Sequence, residues 1–151
     1  MKTCEIDISV GEEDFNIGVE LEKLRMSGIG AISSFTGLVR QRADKPGLIA
    51  LTLEHYPEMT SLQIHRIAEQ AASRWLLGNV VIRHRVGRLL PKDNIVFVAT
   101  SSAHRAAAFE SCAFIMDYLK TDAPFWKKED TSEGSHWVSA RASDDDAQQK
   151  W

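Results

Sequence analysis

Five consecutive apolar residues, Ile95-Val96-Phe97-Val98-Ala99, constrain this chain more than any other feature. A strand without alternation has no face to offer to water, so residues 95–99 predict a central strand that other layers must cover on both sides. Just upstream, Val80, Ile82, His84 and Val86 alternate with Val81, Arg83 and Arg85, which predicts a neighbouring strand. Leu90-Pro91-Lys92-Asp93 supplies the turn between them, with proline at a favourable place. At 151 residues the chain fits one domain, and a chain of this size buries roughly two-thirds of its unfolded surface without metals or disulfides.

The cover has to come from amphipathic elements. After Pro57, residues Ile64, Ile67, Ala68, Ala71 and Trp75 recur at helical spacing, Thr60 to Gln63 fits a capping box, and Gly78 can end the helix. A second long helix is predicted with Ser101 or Ser102 as its cap and a stripe of Phe109, Cys112, Ala113, Met116 and Leu119. Its end is forced before Pro124, and an extended segment follows. Residues 29–39 read as a strand with Arg40 at its end. Residues 48–56 read as another, with Ile49, Leu51 and Leu53 on one face and Thr52 and Glu54 on the other. A turn over residues 44–47 would join these two as a hairpin. From Ala142 onward the run ASDDDAQQK has nothing to bury and reads as a mobile tail whose one apolar anchor is Trp151. No repeat or linker divides the chain, so the expectation is a single α+β, or mixed α/β, domain over residues 1–142 with a tail at 143–151.

Composition excludes several function classes. Net charge is −3, which argues against a broad nucleic-acid surface, because such surfaces need clustered excess Lys and Arg to displace counterions. The apolar runs fall short of a membrane span, and the amino terminus turns acidic at once, unlike a secretory signal. A cytoplasmic location is the default expectation. Cys4 and Cys112 lie far apart without CxxC spacing, so neither zinc nor dithiol chemistry is signalled.

The cations are more informative. Lys120 falls at the end of the second helix, and Lys127 and Lys128 follow beyond the stiff Ala-Pro-Phe-Trp segment. A lysine held near apolar groups or other cations loses proton affinity and becomes usable as acid, base or nucleophile near neutral pH. The bland alternative is a cation complementing the helix carboxyl end, with its neighbours on a solvated strand. His104-Arg105 in the first turn of the same helix places two potential cations where the macrodipole favours an anion, so an outside phosphate or carboxylate is expected there. The alternative is a surface arginine beside a packed histidine. Arg40 leaves a strand end, facing a cleft or an edge. His55 and His84 have no partner at metal spacing and read as packed or surface histidines. Arg105 and Lys120 are 15 residues apart on one helix, ~22 Å at the usual rise. One small substrate cannot touch both, and a symmetric dimer that completes each site across the interface is the simplest solution.

Taken together, FTGLVR, LTLEHYPEMT, HRVGRLLPKD, SAHRAAAFE and IMDYLKTDAPFWKKE resemble the large, catalytic subunits of molybdopterin synthase, the MoaE family, over about residues 29–141. The resemblance implies an α/β hammerhead fold and a homodimer within a heterotetramer, each large subunit binding a small ubiquitin-like sulfur carrier that ends in a glycine thiocarboxylate. It implies conversion of cyclic pyranopterin monophosphate into molybdopterin by installing two sulfurs as a dithiolene, with no resident cofactor or metal. Sulfur then comes from the carrier, so no thiol nucleophile is needed on this chain. By position in the motifs, Lys120 and Lys127 match the catalytic lysines, and Arg40, His104, Arg105 and Lys128 match substrate contacts. Leu38 and Val39 beside Arg40, Glu129 beside Lys128, and Arg141 complete the implied substrate-binding set. Leu38 stands where relatives often carry a base, and Asp122 puts an acid between the lysine blocks. A scaffold that merely docks a ubiquitin-like tail is the competing reading, and a phosphate-ester enzyme lacks support because no GxxxxGK[ST] loop is present.

Overall fold

The computed structural model describes residues 3–41, 47–138 and 142–151. The expected turn at 44–47, apart from Gly47, and Arg141 lie outside the described residues. The central strand is β6 (Asn94–Ser102), flanked by β4 (Asn79–Arg85) and β2 (Ala31–Leu38), with β1 (Glu5–Gly11) on the far side of β4. The β1 and β4 strands run parallel, and the other pairs in this sheet are antiparallel.

Both faces of β6 are covered, as its sequence demands. On one face Val96 and Val98 pack with Val80 and Ile82 against helices α2 (Pro57–Arg74) and α3 (Arg105–Thr121). On the other, Phe97 and Ala99 pack with Val81 against Leu24 and the short helix α1 (Ile17–Glu22). Arg83 of β4 projects among the α1 side, where it is 9% exposed. Its guanidinium is satisfied by Asp7 Oδ2 at 2.8 Å and Glu20 Oε2 at 3.0 Å, and a buried charge persists only when paired in this way.

A second antiparallel sheet has the order β5 (Gly87–Leu89), β3 (Leu48–His55), β7 (Phe125–Thr131), β8 (Gly134–Val138). Its cluster of Leu51, Leu53 and Leu89 packs with Val39 and Val86. Phe125 touches both this cluster and the main core, and so sits where the two sheets meet.

Several sequence expectations need correction. Helix α2 starts four residues earlier than a capping box at Thr60 requires, because Pro57 pre-sets the first turn, and its cap Tyr56 makes no side-chain bond. Thr60 is buried instead, 3.2 Å from His55 Nδ1. The helix ends at Arg74, and Gly78 is a close-packing position: a Cβ there would lie 2.5 Å from Ile29 Cδ1. Ser101 and Ser102 stay in β6, where their hydroxyls bond Asn79 N–H and the Leu76 carbonyl, and α3 is capped by extended His104 without a side-chain bond. The buried arc of α3 is Ala108, Ser111, Cys112, Phe114, Ile115, Met116 and Leu119, while Phe109 and Ala113 are exposed. The helix is wedged among β2, β6 and α2, so its buried arc is broader than a single stripe and turned away from Phe109. In β3 the register with β7 shifts between Leu48 and Ala50, which turns Ala50 inward and leaves Ile49 exposed. Residues read as a mobile tail form helix α4 (Ala142–Gln149), and Trp151 beyond it docks its ring against Trp75 and Phe114. The hairpin expected between residues 29–39 and 48–56 does not form, because β2 pairs with β6 in the first sheet and β3 pairs with β5 and β7 in the second. Strands β1, β5 and β8 and helix α1 were not expected.

Candidate active site

Pro124 stops α3 and the chain turns directly into β7, so Lys120 and Lys127 leave two elements joined by a short stiff connection. Strand β7 pairs with β3 so that Phe125 faces His55, Lys127 faces Leu53 and Glu129 faces Leu51. Side chains alternate along a strand, so Phe125, Lys127 and Glu129 share the face of buried Leu51 and Leu53, and Trp126 and Lys128 take the other. The adjacent lysines therefore point to opposite sides of the second sheet. Half-buried Lys127 rises from an apolar floor, whereas the Lys128 ammonium lies 5.8 Å from the Trp137 ring centroid on the reverse face. Glu129 is 3.6 Å from His136 of β8.

The floor of the Lys127 face continues into the first sheet through His84. Its ring stacks on Phe125 with centroids 3.8 Å apart and planes at 11°, and His55 stacks more loosely on the same Phe125 at 5.9 Å. A carbonyl can only accept, so the 2.8 Å contact between His84 Nδ1 and the Arg85 oxygen makes Nδ1 the protonated nitrogen of the neutral ring. His84 keeps some solvent exposure, yet desolvation by the atoms around it pushes its pKa down to about 4. The positive charges of Lys127, Lys120 and His55 add to that shift, and the bond to the Arg85 carbonyl opposes it. Lys120 itself is exposed in the last turn of α3, where a cation suits the carboxyl end of the helix.

Arg40 follows a pinned strand end. Buried Val39 donates its N–H to the Asp93 carbonyl at 2.9 Å and accepts from Lys92 N–H at 2.8 Å, which leaves Leu38 and Arg40 exposed on either side of it. Since Val39 belongs to the cluster of Leu51 and Leu53, which Phe125 also touches, Arg40 emerges beside the sheet that carries Lys127. His104 and Arg105 are exposed at the opposite end of α3. The helix is continuous between Arg105 and Lys120, so the separation of ~22 Å holds within one chain.

One chain thus gathers Lys120, Lys127, His84, His55 and Phe125, with Arg40 beside their sheet and the His104–Arg105 pair outside the cluster. The grouping offers fixed cations for a developing anion and a neutral imidazole among them. Sequence reasoning set both histidines aside, because their neighbours are distant in sequence: His84 meets Phe125 of the other sheet, and His55 meets Phe125 of the paired strand β7. The available signal was His84 continuing the apolar row of Val80 and Ile82. A cavity of about 350 Å³ lies elsewhere, among Cys4, Glu5, Met26 and Gly78, and none of the candidate residues lines it. Among the described residues, no helix is long and apolar enough to cross a membrane.

Comparison with known proteins identifies the family. The family model described as MoaE protein matches residues 10–122. The molybdopterin synthase catalytic subunit of Escherichia coli (strain K12) is 50% identical over 149 residues, covering 98% of this chain and 99% of that protein. The subunit of the same name from Pseudomonas aeruginosa is 51% identical over 146 residues, 95% of this chain and 97% of the relative. Among solved structures, the molybdopterin biosynthesis MoaE protein from Burkholderia ambifaria MC40-6 superposes with a TM-score of 0.81 at 48% identity, covering 98% of this chain and 97% of that one. The chain belongs to the MoaE family of molybdopterin synthase catalytic subunits.

Proposed function

We propose that this chain is the catalytic subunit that converts cyclic pyranopterin monophosphate into molybdopterin, taking sulfur from the thiocarboxylate tail of a ubiquitin-like carrier. The observation that carries the reading is Lys127, raised from an apolar floor on the face where Lys120 and neutral His84 gather, in a chain whose relatives are named for this enzyme.

The carrier tail enters beside the lysines, and its thiocarboxylate sulfur forms a bond to a side-chain carbon of the pterin while the C–O bond at that carbon breaks, the departing oxygen taking the electron pair and a proton from a lysine. Water then cleaves the acyl–sulfur bond, leaving sulfur on the pterin and the carrier as a carboxylate. Both steps place negative charge on oxygen, and a preorganised ammonium stabilises such charge best where water is scarce. One lysine holds the anion while the other exchanges protons. Arg40 and the His104–Arg105 turn hold the cyclic phosphate, Arg40 from its own chain and the turn from a second copy. Leu38, Lys128, Glu129 and Arg141 complete the substrate-binding set, Lys128 from the reverse face of β7, while buried Val39 acts by fixing its neighbours Leu38 and Arg40. Residues 1–142 form the catalytic domain, the assembly is a homodimer within a heterotetramer, and the work is done in the cytoplasm.

Reconstitution with thiocarboxylated carrier and cyclic pterin tests this reading. Wild type forms dithiolene; Lys120→Ala and Lys127→Ala still bind carrier and lose turnover by about a hundredfold or more, as expected when charge stabilisation or proton transfer is removed. Arg40→Ala chiefly raises KM. Carrier binding without sulfur transfer by the wild type would identify a scaffold instead.

A further inference from the structure

We propose that His84 is a positioning residue for the lysine pair: a ring clamped on Phe125 and pinned through Nδ1 to the Arg85 carbonyl, whose Nε2 acceptor sets where the Lys127 and Lys120 ammonium groups sit. The inference rests on the reading of those lysines as the reacting cations.

His84 is unusually well held. Its backbone lies in an interior strand, paired with Val10 of β1 and Val96 of β6. Its ring is fixed by the 2.8 Å bond to the Arg85 oxygen and by the 3.8 Å stack on Phe125. With Nδ1 committed as donor, Nε2 of the neutral ring can only accept. Three elements bring charge that the ring feels: α3 through Lys120, β7 through Lys127 and β3 through His55, and Lys127 lies on the same strand face as the Phe125 ring on which His84 stacks. Packing alone would be served by leucine or phenylalanine at the end of the Val80–Ile82 row. An imidazole adds one acceptor to a cluster of donors, and an ammonium that donates to a fixed neutral acceptor is held in place without a further charge beside it. The desolvation that disfavours protonation of His84 keeps that acceptor available at neutral pH.

The test uses the full chain with thiocarboxylated carrier and cyclic pterin. His84→Phe retains a ring on Phe125 and removes the acceptor, His84→Asn retains a donor for the Arg85 carbonyl but has nothing at the Nε2 position, and His84→Gln restores an amide oxygen near that position. We expect His84→Phe and His84→Asn to bind carrier normally and to lose about tenfold or more in kcat with little change in KM. Their pH–rate profiles shift, and His84→Gln recovers part of the loss. Mass-spectrometric acylation of individual lysines across pH gives a second readout: Lys120 and Lys127 change reactivity in His84→Asn while Lys92 does not. Wild-type kcat and pH profile in His84→Phe, or unchanged lysine reactivity in His84→Asn, would overturn the proposal. Should Lys120→Ala and Lys127→Ala remain active, the assignment of the lysines fails; should they lose activity while His84→Phe keeps it, only the positioning role fails.

Discussion

At the scale of the residue, the site is a contest between burial and charge, and His84 gives it a measurable consequence. Folded, this imidazole takes up a proton only near pH 4, against 6.5 in the unfolded chain. Above about pH 6.5 both states hold it neutral and it contributes nothing that varies with pH. Between those values the unfolded chain binds a proton that the folded chain refuses, so stability falls as pH falls, by up to ~3 kcal/mol across the window. Urea unfolding should therefore show a plateau above pH 7 and a decline toward pH 4 that His84→Phe flattens; an equal decline in that variant would assign the effect elsewhere. The carboxyls of Asp7, hydrogen-bonded by Arg83, and Asp14, hydrogen-bonded by Asn94, are held below their usual range. Their contributions are complete above the ordinary carboxylate pKa and are lost only on further acidification, so the histidine limb is separable. The lysines drew notice because proline and aromatic residues frame them, but that frame alone reads as solvated surface charge, and their assignment came from the resemblance of the surrounding sequence blocks. The histidine was not, because its role is created by Phe125 and two lysines that no local pattern brings near it.

Among the elements, α3 is the ruler of the site and α4 is its strap. The two helices that cover the first sheet, and strands β2, β3, β4 and β6, follow from periodicity, since each is driven by its own apolar pattern. Short β5 and β8 and the brief α1 carry too little pattern of their own and are defined by the partners they pair or pack with. Helix α4 is the clearest such case: its sequence is polar, and what holds it is sparse and long-range. Trp151 Nε1 donates to Asp117 Oδ2 at 2.6 Å, Gln148 Nε2 donates to Asp122 Oδ1 at 2.6 Å, and the Trp151 ring meets Trp75 and Phe114 edge-on. Asp117 and Asp122 bracket Lys120, so the strap holds the helix end that presents the lysine. Trp151→Ala should lower stability by ~1–3 kcal/mol, less than a fully buried tryptophan because the ring is half-buried. Hydrogen exchange should rise in residues 117–122 while β4 and β6 stay protected. Uniform loosening of the whole chain would show that Trp151 supports the core rather than the lysine end.

For the whole molecule, the deciding dimension is the length of α3. A net charge of −3 leaves anion binding to local cations, and the structure places two groups of them at the two ends of one continuous helix, Lys120 at one and His104–Arg105 at the other. A phosphate-bearing pterin cannot bridge ~22 Å, so either the His104–Arg105 turn serves no reaction or it serves the pocket of another copy. Complementation separates these cases by arithmetic. Lys120→Ala chains lack the lysine pocket but keep the turn; Arg105→Ala chains keep the pocket and lack the turn. If the turn acts across a two-fold interface, each mixed dimer contains one doubly defective pocket and one fully intact pocket. Random reassortment makes roughly half the dimers mixed, so two inactive proteins should recover about a quarter of wild-type turnover. If the turn acts within its own chain, every pocket in a mixed dimer still carries one defect and no activity returns. Differently tagged chains, purified through both tags so that only mixed dimers are assayed, raise the expected recovery to about half of wild type. Such dimers with no recovered turnover would refute the shared pocket.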